Sequence, residues 1–399
     1  MLSSEAMTAP TLDAEPACPG PVETPPGSTT AEPGLRAEAR PFDSIPRASW
    51  DRLAASTPAA TIFSAWAFHR AWWDAYRDNA HEETLVVCRG NDSEPVGIVP
   101  LMHRHEVEPS DAVTHTTMRH GSDRRLTPVS PTAKAIMFGA SYHADYATVL
   151  CAPSDLPGVA AATAEYIADP ASEDWDVVDL RRLRCSDPAG YELAAALGAL
   201  EIANGWTLNV DREDVCPVVT FPVGADMDTY LATLGKKERH EIRRKVRRAE
   251  AQGEVRLVDS VDPIADLEVF IDLHQRRWGD AGLFPSTPGG DQSRVLFRRL
   301  FELFGPDGTF RMSFLWVGDR RIAAGVHFET DEELLYYNAG IDPDARELSP
   351  GVLMVYAYVR RALERGIRRM DFLRGDEPYK YEWGSVDEPI QRLLLRRDA

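Results

Sequence analysis

Twice along this chain, two β-forming runs joined by a turn lead into a third such run, then a helix-forming stretch and one more apolar strand. In the first half "TLVVCRG" and "VGIVPLM" flank the turn "NDSEP", "DYATVL" (145–150) is the third run, "LPGVAAATAEYIAD" the helix and "WDVVDL" (175–180) the closing strand. In the second half "SFLWVGD", "RRIAAGVHFE" and "ELLYYNAG" precede the helix "SPGVLMVYAYVRRALERG" and the strand "RRMDFL". Both hairpins place a glycine among β-formers in the second arm, and "VVDLRR" echoes "MDFLRG". Two β-β-β-α-β units predict a duplicated mixed α/β (α+β) fold, each unit a central mixed sheet flanked by helices, with a helical crossover before the last strand.

A length of 399 residues suits two such domains. The first forty residues are rich in Pro, Ala, Thr, Glu and Gly and have neither a basic leader nor an apolar core, so residues 1–40 read as a disordered Pro-rich tail rather than a signal segment. The expected division is then 41–212 and 213–399. No apolar run approaches the roughly 20 residues that span a bilayer. Five scattered cysteines with no metal-ligand spacing, and ten histidines without a HExxH pair, point to a reducing cytoplasm and no metal site. A formal net charge of −19 argues against a protein that coats DNA, so any bound anion must meet a local basic patch.

Three stretches offer one. Ser349-Pro350-Gly351 opens the late helix with an N-cap, a proline at N1 and no acidic residue at N3, which leaves backbone N–H groups available to an anion such as a pyrophosphate. A well-capped helix start with no ligand is the plain alternative. "GKKERHEIRRKVRRAE" (235–250) carries eight Lys/Arg against three Glu, with Ile242, Val246 and Ala249 on one stripe. Its Arg243, Arg244 and Arg247 are candidates for a phosphate-bearing substrate, or else a solvated face. In "HQRRWGDAGLF" (274–284), Arg277 and Trp278 before a glycine turn are candidates to line a pocket, although Trp278 equally suits a core position at a helix end. There is no GxSxG elbow and no Walker-type loop.

The stretch "MDFLRGDEPYKYEWG" (370–384) ends a strand by crowding Arg374, Asp376 and Lys380 among aromatic residues. With "SPGVLM…ALERGIRRM" before it, it resembles the signature of the CelD/BcsL-type acyltransferases, GNAT-like proteins often associated with polysaccharide synthesis. "IFSAWAFHRAWWDAY", "VGIVPLM", "DYATVL", "KKERHEIRRKVRRAEAQG" and "HQRRW" follow the order of that family, and the resemblance runs from about Phe42 to the C-terminus. More distantly the family is similar to Fem-type aminoacyltransferases.

The resemblance implies two tandem GNAT-like acyl-CoA N-acyltransferase domains. The donor would lie on a splayed strand pair, Tyr336–Gly340 (with Tyr337 and Gly340 as contacts) and Met370–Leu373, its pyrophosphate on Ser349, Pro350 and Gly351. The usual Gly-rich pyrophosphate loop of GNAT folds is absent. The implied reaction moves an acyl group, expected to be acetyl, from acyl-CoA to an amine or hydroxyl. The acceptor would be an amino sugar or a nucleotide-linked precursor of polysaccharide or cell-envelope material. Lys380 is expected to stabilise the oxyanion or hold an anionic acceptor group, Asp376 to orient or deprotonate the acceptor, and Arg374 to clamp Asp376 or a phosphate; a structural ion-pair network closing the sheet edge is the plain alternative. Asp145 and Tyr146 would form the facing wall. The alternatives are an aminoacyl-tRNA-dependent transferase docking tRNA on the basic helix, and a non-catalytic regulator of polysaccharide assembly.

Overall fold

A computed structural model describes residues 34–90, 92–104, 126–130, 132–172 and 174–397. Eleven strands form one sheet in the spatial order Val255–Asp259, Phe310–Val317, Arg320–Glu329, Glu333–Ile341, Arg369–Asp371, Thr207–Thr220, Val386–Arg396, Val177–Arg184, Ala135–Phe138, Leu101–Arg104 and His81–Glu82. A second sheet of four carries Leu35–Ala39, Leu85–Arg89, Gly97–Val99 and Leu150–Cys151. Pro100 separates the arms of "VGIVPLM": Gly97–Val99 joins the small sheet and Leu101–Arg104 the large one. Proline has no N–H to give a ladder, so a strand can change sheets there.

The expected duplication is present. In each half an antiparallel strand leads through a crossover helix (Leu156–Ala168 or Pro350–Glu364) to a parallel neighbour. The parallel pairing lasts three residues in both halves, Ala135–Met137 with Val177–Asp179 and Glu333–Leu335 with Arg369–Asp371. "RRIAAGVHFE" forms the strand Arg320–Glu329, with its glycine needed: a Cβ on Gly325 would lie 2.6 Å from the Tyr358 hydroxyl of the crossover helix. "DYATVL", in contrast, contributes only Leu150–Cys151 and an isolated bridge at Ala147.

The expected divisions are crossed in two places. Leu35–Ala39, inside the expected tail, is a strand paired with Leu85–Arg89; the tail upstream of residue 34 lies outside the described residues. The division at 212/213 falls within the strand Thr207–Thr220, and the final strand Val386–Arg396 inserts between that strand and Val177–Arg184. Arg392, almost fully buried, fixes this insertion through a two-pronged bond to Asp179 (2.6 and 2.8 Å). The halves also share a core. The helix Trp66–Tyr76 buries Phe68, Trp72, Trp73 and Tyr76 against the helix Pro288–Phe304, whose inward face is Leu296, Phe297, Leu300 and Phe301.

No helix among the described residues is long and apolar enough to cross a membrane, and none of their His, Cys, Asp and Glu residues cluster as a metal site. Cys88, Cys151 and Cys216 are free and buried.

Candidate active site

Past Leu335 and Asp371 the two parallel strands of the second half part. Phe372 and Gly375 turn to bond Pro217 and Val215 of the neighbouring strand (3.0 and 2.9 Å), while Tyr336–Ile341 continues along Arg320–Glu329. The opening between them is a cleft of about 520 Å³. Tyr336, Tyr337, Asn338 and Ala339 form one wall, Phe372, Leu373 and Arg374 the other, and His274, Arg277 and Trp278 its helical rim. Among the described residues the Tyr336–Ile341 edge facing the cleft has no strand partner, so its peptide groups are available to an extended ligand.

The first half has the same opening, but the chain fills it. Ala147 bridges to Leu183 and donates its N–H to Arg182 O (3.0 Å), and the Arg182 side chain returns a bond to Ala144 O (3.0 Å). Arg182 takes a left-handed backbone (φ +67°) to do so. The space left is about 10 Å³, less than one small ligand needs. The filling segment carries Asp145, which reaches across to line the second cleft.

Six of the residues expected from sequence meet in that cleft: Asp145, Arg277, Trp278, Tyr337, Arg374 and Lys380. Arg374 faces Asp145 (Nε to Oδ1, 3.4 Å) and, at 4.0 Å, Glu213, which also accepts the Arg182 N–H (2.6 Å). Tyr337 donates its hydroxyl to His143 O (3.1 Å). Lys380 is buried, and its ammonium donates to three successive carbonyls, Leu373 (3.0 Å), Arg374 (2.9 Å) and Gly375 (2.9 Å), beside the Glu377 carboxylate at 2.9 Å. An ammonium has three N–H groups, and all are used. Lys380 is therefore placed as a clamp on the loop that carries Leu373 (φ +58°) and Gly375 (φ +108°), with no N–H left for an oxyanion. The short helix Pro378–Tyr381 that carries it turns the side chain back under the loop, which the sequence spacing does not reveal.

Other expected residues lie elsewhere. Asp376 is buried and does not line the cleft. Tyr146 is buried beneath it and donates to Asp371 Oδ2 (2.7 Å), a carboxyl that burial pushes upward. Gly340 serves packing: a Cβ there would lie 2.4 Å from the His274 backbone nitrogen, so its bareness lets the helix Leu267–Trp278 lie on the strand. Ser349 and Pro350 begin the crossover helix as expected, yet Ser349 is left-handed (φ +57°), does not cap, and accepts a bond from Arg248 (2.7 Å). Around Gly351 a Cβ would meet no atom within 4 Å. None of these three lines the cleft. Arg243 and Arg244 pair with Asp228 (2.8 Å) and Glu241 (2.6 Å), and Arg247 is exposed; the basic helix Lys236–Glu250 packs its Ile242, Val246 and Ala249 inward, away from the cleft.

One cleft residue was not anticipated. His274 ends the inward stripe of the helix Leu267–Trp278. Its Nδ1 faces Gln275 Oε1 (3.0 Å), and that oxygen also accepts the Phe284 N–H while the Gln275 amide nitrogen donates to Gly279 O (3.0 Å). The glutamine is thus oriented oxygen-first, so Nδ1 carries the proton and Nε2 keeps its lone pair. Burial, with a contribution from the nearby Arg277 charge, lowers the imidazole pKa to about 4, so the ring is neutral at neutral pH. The histidine at the start of "HQRRW" was the available signal.

Residues 236–381 match the family model described as an acetyltransferase (GNAT) domain, a span that includes both cleft walls of the second half. No curated protein sequence matches the chain. Among solved structures, FemX is similar at 11% identity, with 87% of this chain and 96% of that one covered and a TM-score of 0.54. A conserved protein of unknown function from Bacteroides thetaiotaomicron VPI-5482 is similar at 13% identity, covering 88% and 98%, with a TM-score of 0.49. A tandem GNAT protein from the clavulanic acid biosynthesis pathway follows at 11% identity, covering 90% and 98%, TM-score 0.43. The fold is mixed α/β, and residues 236–381 of its second half are similar to a GNAT-type acetyltransferase domain. The FemX likeness, at so low an identity, concerns the fold.

Proposed function

We propose that this protein transfers an acyl group, acetyl in the simplest case, from acyl-CoA to an amine or hydroxyl acceptor. The observation that carries this reading is the parting of Glu333–Ile341 from Arg369–Asp371 within the span that matches an acetyltransferase domain. The open strand edge suits the amide-bearing arm of acyl-CoA, which would bring the thioester-activated acyl group. The filled opening of the first half leaves the second-half cleft as the donor site among the described residues and gives the first half a different task, supplying Asp145.

Within the cleft, the unprotonated His274 Nε2 accepts a hydrogen bond from the acceptor amine or hydroxyl and orients it for attack, and Gln275 holds the ring for it. Asp145, with Arg374 beside it, orients the acceptor. Lys380 keeps the Leu373–Gly375 loop in place and acts through that loop. An amino sugar or nucleotide-linked acceptor in polysaccharide or cell-envelope synthesis, as in CelD/BcsL-type proteins, is the physiological setting we favour.

The test is CoA release from acetyl-CoA with a panel of amine acceptors. His274→Gln keeps the bond to Gln275 only in part and lacks the accepting ring nitrogen, so turnover falls by roughly two orders of magnitude while calorimetric CoA affinity holds. Parental turnover in that variant removes His274 from the chemistry. A protein that binds no CoA but binds tRNA with steep salt dependence favours the aminoacyl-tRNA reading, for which the exposed cations of the basic helix speak.

A further inference from the structure

Five charged side chains line the cleft: Arg277, Arg374 and Lys380 against Asp145 and Glu377. Four of them are matched within the protein. Arg374 faces Asp145 at 3.4 Å, and Lys380 faces Glu377 at 2.9 Å besides its three carbonyls. Arg277 has no carboxylate partner among the described residues, although its neighbour Arg276 is paired twice, with Asp342 (2.9 Å) and Asp344 (2.8 Å). Its guanidinium carbon lies over the Trp278 ring, 4.5 Å from the centroid, and its charge is felt by the buried Tyr336 hydroxyl and the His274 imidazole. Trp278 (37% exposed) and Tyr379 (38% exposed) leave apolar faces uncovered at the same rim.

A guanidinium over an indole face is steadied by the ring while its N–H groups can still reach a ligand, an arrangement suited to a carboxylate or phosphate. From this we infer that Arg277 selects an acceptor that carries an anionic group, a carboxylate or phosphate, on the same molecule as the reacting amine or hydroxyl. This rests on the acyltransferase reading and narrows its substrate class. The anion meets Arg277 at the rim, its carbon skeleton lies against Trp278 and Tyr379, and the reacting group passes inward toward His274 and Asp145. Because the remaining cleft charges are matched, a neutral acceptor gains no ion pair there.

The experiment uses matched acceptors in the full chain: glucosamine with glucosamine 6-phosphate, ethanolamine with phosphoethanolamine, and an amino acid amide with its free acid. In the parent, the anionic member of a pair has the lower KM. Arg277→Gln raises that KM by about tenfold or more relative to the KM of the neutral member, and so removes the preference, as expected for the loss of one charge-assisted bond. Acetyl-CoA and acetyl-pantetheine, which lacks the nucleotide phosphates, separate the source of the anion. If Arg277→Gln weakens only acetyl-CoA, the residue serves the donor and the inference is overturned. Equal KM values within every pair, or a preference that survives in the variant, also overturn it. If no acceptor is turned over, the acyltransferase reading fails first, and calorimetry with the two phosphorylated probes decides the rest. Phosphate-dependent binding lost in Arg277→Gln upholds the anion site, and binding that is absent or unaltered rejects it.

Discussion

Lys380 shows how the surroundings of a side chain assign it a different role from the one its place in the sequence suggests. A lysine among aromatics at a strand end looks like a transition-state cation, whose replacement by methionine would keep length and stem but remove the charge and with it the turnover. In the structure the ammonium is a knot tying Leu373, Arg374 and Gly375 together, with Glu377 alongside. Lys380→Met would leave three carbonyls and a carboxylate without their partner. The expected result is a loss of stability of about 3 kcal/mol together with a fall in turnover, because the loop that positions Arg374 loosens. Urea midpoints and single-turnover rates on the same preparation check this. A variant as stable as its parent but inactive would return Lys380 to the chemistry. His274 is the converse case. A lone histidine on a helix face carries no pattern, and its tautomer is set by Gln275 and Phe284, contacts that exist only once the turn after the helix has formed.

Among the elements, what was legible followed local pattern. The strand Arg320–Glu329 and the helix Pro350–Glu364 were bounded by turn and cap residues that act within a few positions. The basic helix was equally plain, its three buried residues being the three read from spacing. The filling of the first opening and the inserted last strand were not legible, since both depend on pairing across long sequence separations that no local propensity encodes. Two glycines separate the local from the tertiary. Gly340→Ala sets a methyl against the His274 backbone, so we expect a cost of about 1–3 kcal/mol and a displaced imidazole, seen as a lower urea midpoint and reduced turnover. Gly351→Glu meets open space, so stability should hold within about 0.5 kcal/mol. If the crossover helix start does contact the donor, CoA affinity falls in this variant alone. Unchanged affinity would confine the donor to the cleft.

For the molecule as a whole, burial of histidines sets an acid limit. His69 and His143 are lowered to about 3 and His274 to about 4, and His327 is also lowered, in each case chiefly by burial. Unfolding restores their ordinary values near 6.5, so their contribution is complete above that pH. It declines as the pH falls toward the folded values, where the unfolded chain alone takes up protons. His69, His143 and His274 should each cost about 1 kcal/mol between pH 7 and 5.5, and His327 acts in the same sense. Asp187, Glu333 and Asp371, raised by burial, act in the opposite sense and moderate the loss. Urea midpoints should therefore drop over this interval, with proton uptake on unfolding; a flat profile would mean that the histidines are charged in the folded protein.

The inserted strand has a consequence for the order of events during synthesis. Val177–Arg184 and Thr207–Thr220 are made early, yet each has an edge that waits for Val386–Arg396. Until that segment has left the ribosome, both edges are bare and Asp179 lacks Arg392. The first half therefore cannot complete its fold in advance of the second, as the halves of an ordinary two-domain chain can. A nascent chain of this kind needs its exposed strands shielded, and a stalled or prematurely released one has a ready template for aggregation.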